Sequence, residues 1–92
     1  MIIEYSIDAI GDLKRLREFI KQNDPIAAAK MGAELVSRIE NLAFMPKMGH
    51  PVLAAPDPDM IRDMVFGNYI VRYAVTKNVI IILRLWHHYE NR

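Results

Sequence analysis

The residues best suited to chemistry stand near the end of the chain, where an apolar run closes in Trp86, His87, His88 and Tyr89. An imidazole titrates close to neutral pH, so His88 suits the work of a general acid. Arg72 suits the holding of an anionic group such as a phosphate, although Asp63 competes for its charge. No base stands out on the same face. A His-His-Tyr cluster at a strand end is either chemistry or an edge where a partner docks. His50, His87 and His88 match no ligand spacing for a metal, and no metal or cofactor is expected.

These residues have to be held by a sheet. Residues 60–92 contain three strand-like runs separated by two polar breaks, Gly67-Asn68 and Lys77-Asn78. Two-residue turns at both breaks fix a register. Phe66 then faces Tyr69, Asp63 faces Arg72, Thr76 faces Val79 and Arg72 faces Leu83. One face carries Met60, Arg62, Met64, Phe66, Tyr69, Val71, Tyr73, Val75, Ile80, Ile82, Arg84 and Trp86. The other carries Ile61, Asp63, Val65, Ile70, Arg72, Ala74, Ile81, Leu83, Leu85, His87 and Tyr89. Asp63 opposite Arg72 reads as a cross-strand ion pair.

Two helices precede this meander. Ile2 to Tyr5 reads as a short strand, and Ser6 as the N-cap of a helix bearing the stripe Ala9, Leu13, Leu16 and Ile20. Asp24-Pro25 opens a second helix, with Ala28, Gly32, Leu35, Ile39 and Leu42 on one face, which Pro46 stops. The short joint predicts an antiparallel helix hairpin. Pro46 to Asp59 reads as a stiff loop. The expectation is an α+β domain over residues 1–92, ordered β-α-α-β-β-β, with the hairpin on one face of a mainly antiparallel sheet.

Composition narrows the function. Of 92 residues, 52% are hydrophobic, more than a small monomer hides easily. One helix pair covers one sheet face, so the other asks for a partner, either a second copy or a different chain. The net charge of +1 argues against a binder held mainly by phosphates. With no cysteine, disulfides and thiolate metal sites are excluded, and a cytoplasmic location fits. The first residues lack the pattern of a signal peptide, and no apolar run is long enough to span a membrane. Arg62 and Arg84, placed under the helices, are expected to pair with acids there such as Asp12, Glu18 or Glu34. The Lys14, Arg15, Arg17 and Lys21 cluster reads as a solvated helix face.

The chain resembles the RelE/ParE toxin superfamily of bacterial type II toxin–antitoxin systems. The resemblance runs through Tyr5-Ser6, Ala9, Asp12 and Leu13, then Asp24-Pro25 and Ala28, then Leu42, Pro46 and Gly49. It continues through Arg62, Tyr69 and Tyr73 to Leu83-Arg84-Leu85-Trp86-His87. It implies a growth-inhibiting toxin, neutralised by an antitoxin that wraps it with a helix and an extended segment. The antitoxin would cover the second sheet face, with Ile61, Val65, Ile70, Leu83, Leu85 and His87 as candidate contacts.

The superfamily holds two activities. ParE-like members poison DNA gyrase. RelE- and YoeB-like members cut mRNA on the ribosome, by attack of a 2′-hydroxyl on the adjacent phosphate. Where those nucleases are expected to carry arginines, this chain has Ile70 and Tyr89. Its ending His88-Tyr89 is similar to YoeB-like toxins and implies His88 as acid, with Tyr89 and Arg72 completing a catalytic set. The expected function is a ParE-like toxin interfering with gyrase. The alternatives are a ribosome-dependent endoribonuclease and a non-toxic member that only binds its antitoxin or dimerises.

Overall fold

The computed structural model describes residues 1–22 and 24–89. In chain order it contains β1 (Ile2–Tyr5), α1 (Ile7–Lys21), α2 (Pro25–Glu40), a 3-10 turn (Asn41–Ala43), β2 (His50–Pro51), β3 (Ile61–Phe66), β4 (Tyr69–Val75) and β5 (Val79–His87). The strands form one sheet in the order β1-β5-β4-β3-β2. β1 runs parallel to β5, and the other neighbours are antiparallel. This is the expected α+β arrangement, widened by β2, a two-residue strand within the proline-rich stretch read from sequence as loop.

Local chemistry accounts for the element ends. The Ser6 hydroxyl accepts the Ala9 amide at 3.0 Å and starts α1. The Asp24 carboxylate accepts the Ala27 amide at 3.0 Å, with Pro25 in the first turn of α2. Gly67 turns β3 into β4 with φ of 57°, as glycine in the first central position of a type II′ hairpin does.

The helix stripes and the inner sheet face build one core. Leu16, Leu35, Ile39 and Leu42 meet Val71, Tyr73, Ile80, Ile82 and Leu85. Each large apolar side chain so buried is worth about 1.5–3 kcal/mol relative to exposure. Ile3 and Tyr5 of β1 pack against the same cluster. Burial, and secondarily the charge of Glu40, raises the Tyr5 hydroxyl pKa above its ordinary value.

The proline-rich stretch is bolted to this core. Arg62, buried, donates to the carbonyls of Gly49 at 2.9 Å, Asp59 at 3.1 Å and Lys47 at 3.4 Å. The Tyr73 hydroxyl donates to the Pro46 carbonyl and accepts the Gly49 amide, both at 2.8 Å. A Cβ on Gly49 would lie 2.7 Å from the Tyr73 hydroxyl and 2.8 Å from the Asp63 carbonyl oxygen, so only glycine fits. Burial is the main cause of the raised Tyr73 pKa. The expectation that Arg62 pairs with a helix acid is therefore corrected. Among the described residues, the carboxylate it meets is that of Asp59 in the loop, at 3.6 Å.

The register departs from expectation at one point. Asp63 faces Arg72 and Val75 faces Ile80, as expected, but Arg72 faces Arg84 rather than Leu83. A bulge leaves Leu83 out of the pairing and shifts the phase of the rest of β5. Ile82 and Leu85, an odd number of residues apart, consequently both reach the core. Leu85 is 1% exposed and so is removed from the candidate antitoxin contacts. Trp86, expected in the core, instead lies beside Arg72 on the open face, with the Arg72 guanidinium carbon 5.3 Å from its ring centre.

Candidate functional site

Three groups of charged and aromatic residues surround the end of β5. The first is centred on Asp12. Its carboxylate accepts Arg84 Nε at 2.8 Å, Arg84 Nη2 at 3.1 Å and the backbone amide of Leu85 at 2.9 Å. Arg15 Nη1 also bonds it, while Arg15 Nη2 reaches the Leu85 carbonyl at 3.1 Å. Burial alone raises a carboxylic pKa, but these donors outweigh it and hold Asp12 at about 2. The Arg84 pKa is correspondingly raised by its bonds to Asp12. Asp12 and Arg84, both candidates for structural pairing, are thus brought together. Arg15, read from sequence as part of a solvated helix face, joins this group through Asp12 three residues before it and through a main-chain carbonyl that no sequence pattern marks.

The second group lies on the open sheet face. Arg72 donates through Nε and Nη2 to the two Asp63 oxygens, at 2.8 and 2.9 Å. That bidentate pair raises the Arg72 pKa. His50 pairs across from Asp63 on β2. Ile70 and Trp86 are opposite each other, and Val65 lies opposite Ile70.

The third group stands where β5 closes, at His87, His88 and Tyr89. The His87 ring packs against Tyr69 edge-on at 5.0 Å and against Phe19 at 5.6 Å, which places it on the helix side. Its expected place on the open face is corrected by the same bulge that moves Leu85. His87 Nδ1 accepts the Tyr89 amide at 3.1 Å. His88 and Tyr89 are exposed, with their rings 5.2 Å apart. They follow β5 rather than extend it. Arg72 pairs with Arg84, four residues before His88, a separation of about 13 Å along a strand. The structure therefore brings His88 and Tyr89 together and leaves Arg72 in a different group.

Among the described residues no group of three potential ligands could hold a metal ion. No helix among them is long and apolar enough to cross a membrane. The helix hairpin carries an open groove of about 750 Å³, with Ala28, Ala29, Gly32, Ala33 and Val36 along it and Arg17 and Lys21 on one wall.

A two-helix hairpin packed on a mixed five-stranded sheet is the architecture of a class of small bacterial toxins, and the comparisons agree. Residues 3–92 match the family described as the ParE toxin of the type II toxin–antitoxin system parDE. Two curated proteins of Caulobacter vibrioides are similar. "Toxin RelE1" is 32% identical over 89 residues, covering 95% of this chain and 92% of that protein. "Toxin RelE2" is 31% identical over 80 residues, covering 86% and 85%. The fold is shared with a chromosomal ParDE system from P. aeruginosa at a TM-score of 0.79 and 18% identity, over 95% of both chains. It is also shared with E. coli YafQ, at a TM-score of 0.58 and 23% identity, over 92% of this chain and 90% of that one. The DinJ–YafQ complex gives 0.53 at 21% identity, over 94% and 91%.

The chain belongs to the ParE toxin family and is the toxin of a type II toxin–antitoxin pair. Its partner is accordingly a cognate antitoxin.

Proposed function

We propose that this toxin arrests growth by interfering with DNA gyrase, without itself cleaving nucleic acid. One observation carries the reading: each arginine on the last three strands already has its charge engaged by groups of the chain itself. Arg62 serves loop carbonyls, Arg72 is closed by Asp63, and Arg84 is closed by Asp12. Attack of a 2′-hydroxyl on its neighbouring phosphate builds charge that a free cation must meet. Arginines already neutralised by carboxylates meet it poorly.

The toxin works in the cytoplasm, where its target is. Its antitoxin covers the open sheet face at Ile61, Val65, Ile70 and Leu83, and a homodimer within the complex is compatible with that arrangement.

A second reading has its own observation. His88 and Tyr89 are both exposed and adjoin each other, with Tyr89 75% accessible. They suit an acid that works only once the ribosome supplies the missing cation, as a ribosome-dependent endoribonuclease would. Expression without the antitoxin separates the two readings. Gyrase interference predicts growth arrest with trapped gyrase–DNA complexes and intact mRNA. Cuts at defined codon positions in translated mRNA, with gyrase unaffected, would transfer the function to the second reading.

A further inference from the structure

The open sheet face has a layout that specifies what kind of segment can lie on it. Its centre is the Asp63–Arg72 pair, which is electrically neutral. To one side lie Val65, Ile70 and Trp86, opposite one another across three strands. To the other side lie the half-buried Ile61 and Ile81, with Ala74 between them in register and itself already buried. Val65 is 61% exposed and Ile2, at the β1 border, 63%. Two apolar rows therefore flank one closed ion pair.

Arg72 is not exhausted by Asp63. Its Nε and Nη2 are taken, but its Nη1 makes no hydrogen bond to the described residues. The carboxylate on one side and the Trp86 ring on the other fix the guanidinium plane. The result is a pinned hydrogen-bond donor, with little net charge, in an apolar setting. A polyanion gains little there, because Asp63 cancels the charge that would attract its phosphates and Glu4 of β1 adds a negative charge beside Ile81 on the same face. An uncharged protein segment gains more: its apolar side chains cover the two rows, and one carbonyl oxygen accepts from Arg72.

We infer that Trp86 and Arg72 form the centre of a docking surface for an uncharged, apolar segment of the antitoxin, with Arg72 Nη1 donating to an oxygen of that segment. The inference rests on the antitoxin lying on the open sheet face, and it adds the chemistry of the segment and the two residues that read it.

The chain has a single tryptophan, so the surface contains its own probe. The experiment titrates the folded toxin with a tryptophan-free form of its cognate antitoxin and follows Trp86 emission. The same titration is run on Val65→Asp, Arg72→Met and, in the helix groove, Ala33→Asp. Circular dichroism confirms that each variant is folded. The expected result is a shift in Trp86 emission at saturation and a loss of affinity of about tenfold or more in Val65→Asp. Arg72→Met is expected to lose about threefold or more, and affinity should depend only weakly on salt.

Emission unmoved at saturation, or Val65→Asp binding within about twofold of the unsubstituted toxin, overturns the inference. So does a pattern in which only Ala33→Asp weakens binding, which places the antitoxin in the helix groove. Arg72-dependent binding of a short single-stranded RNA, steeply weakened by salt, also overturns it in favour of a phosphate ligand. The titration reads binding alone. A toxin that fails to arrest growth would overturn the toxic mechanism and leave the docking result standing.

Discussion

Asp12 on the first helix accepts the backbone amide of Leu85 on the last strand at 2.9 Å, although 73 residues separate them. This bond, with the two from Arg84, fastens the bulged part of β5 to α1. Asp12→Ala leaves the buried Leu85 amide without its acceptor and deprives Arg84 of its carboxylate. Loss of one such buried acceptor costs about 1–3 kcal/mol, and the expected destabilisation lies at the upper end of that range. Chemical denaturation compares the variant with its parent. A change below about 0.5 kcal/mol would show that the bond is incidental.

The same carboxylate predicts acid sensitivity. Asp12 is held at about 2, below its ordinary value of 3.8. A group whose pKa is lower in the folded state stabilises the fold above the unfolded value and loses that contribution as pH falls through the folded one. The contribution is about 2 kcal/mol, fully present near neutrality and progressively lost from about pH 5 to pH 2. Denaturation midpoints measured across this range should fall more steeply for the parent than for Asp12→Asn.

Gly49 is the tightest point of the loop anchorage. A methyl group there would meet the Tyr73 hydroxyl and the Asp63 carbonyl oxygen below 3.0 Å. One of these oxygens is backbone and the other is held between two loop bonds, so neither yields freely. Gly49→Ala is expected to cost about 1–3 kcal/mol. Hydrogen exchange should show the loss first in the loop around Pro46 and Gly49.

Leu85 gives a control for antitoxin mapping. Its side chain is in the core rather than on the open face, so Leu85→Ala is expected to destabilise the toxin by about 2–5 kcal/mol. Its apparent loss of antitoxin binding should disappear when affinity is measured on the folded fraction alone.

His88 separates the two activities. Under gyrase interference His88→Ala is expected to keep growth arrest at the parental level, measured as colony survival after induction. Survival restored in His88→Ala, together with loss of mRNA cuts by the parent, would assign a proton-transfer role to that imidazole.

Much of the fold was legible because its signals are local. Ser6 and Asp24-Pro25 mark helix starts by their capping chemistry, and Gly67-Asn68 marks a hairpin by its allowed backbone angles. Asp63 opposite Arg72 followed from turn length alone. The bulge was not legible, because no residue in the run from Val79 to Leu85 signals an interruption. Its cause is tertiary: Asp12, Arg15 and Ser6 on another element claim backbone groups of Leu83 and Leu85. Missing it reversed the sides of Leu85, Trp86 and His87, and so exchanged a core residue for a surface one. β2 escaped notice for a related reason. Two residues that include a proline carry no periodicity, and their pairing depends on Arg62 and Tyr73 holding the loop in place.

β1 borders only the first part of β5, from Val79 to Ile82. Beyond that point Ser6 takes the Leu83 carbonyl through its hydroxyl, Asp12 takes the Leu85 amide, and Arg15 takes the Leu85 carbonyl. Side chains of a helix thus do the work of a missing strand. A raw strand margin invites another polypeptide to lengthen the sheet, and here the main-chain groups that such a graft would need are already occupied. The toxin can offer a broad apolar sheet face to a partner while keeping this stretch of its border closed to fibre-like growth.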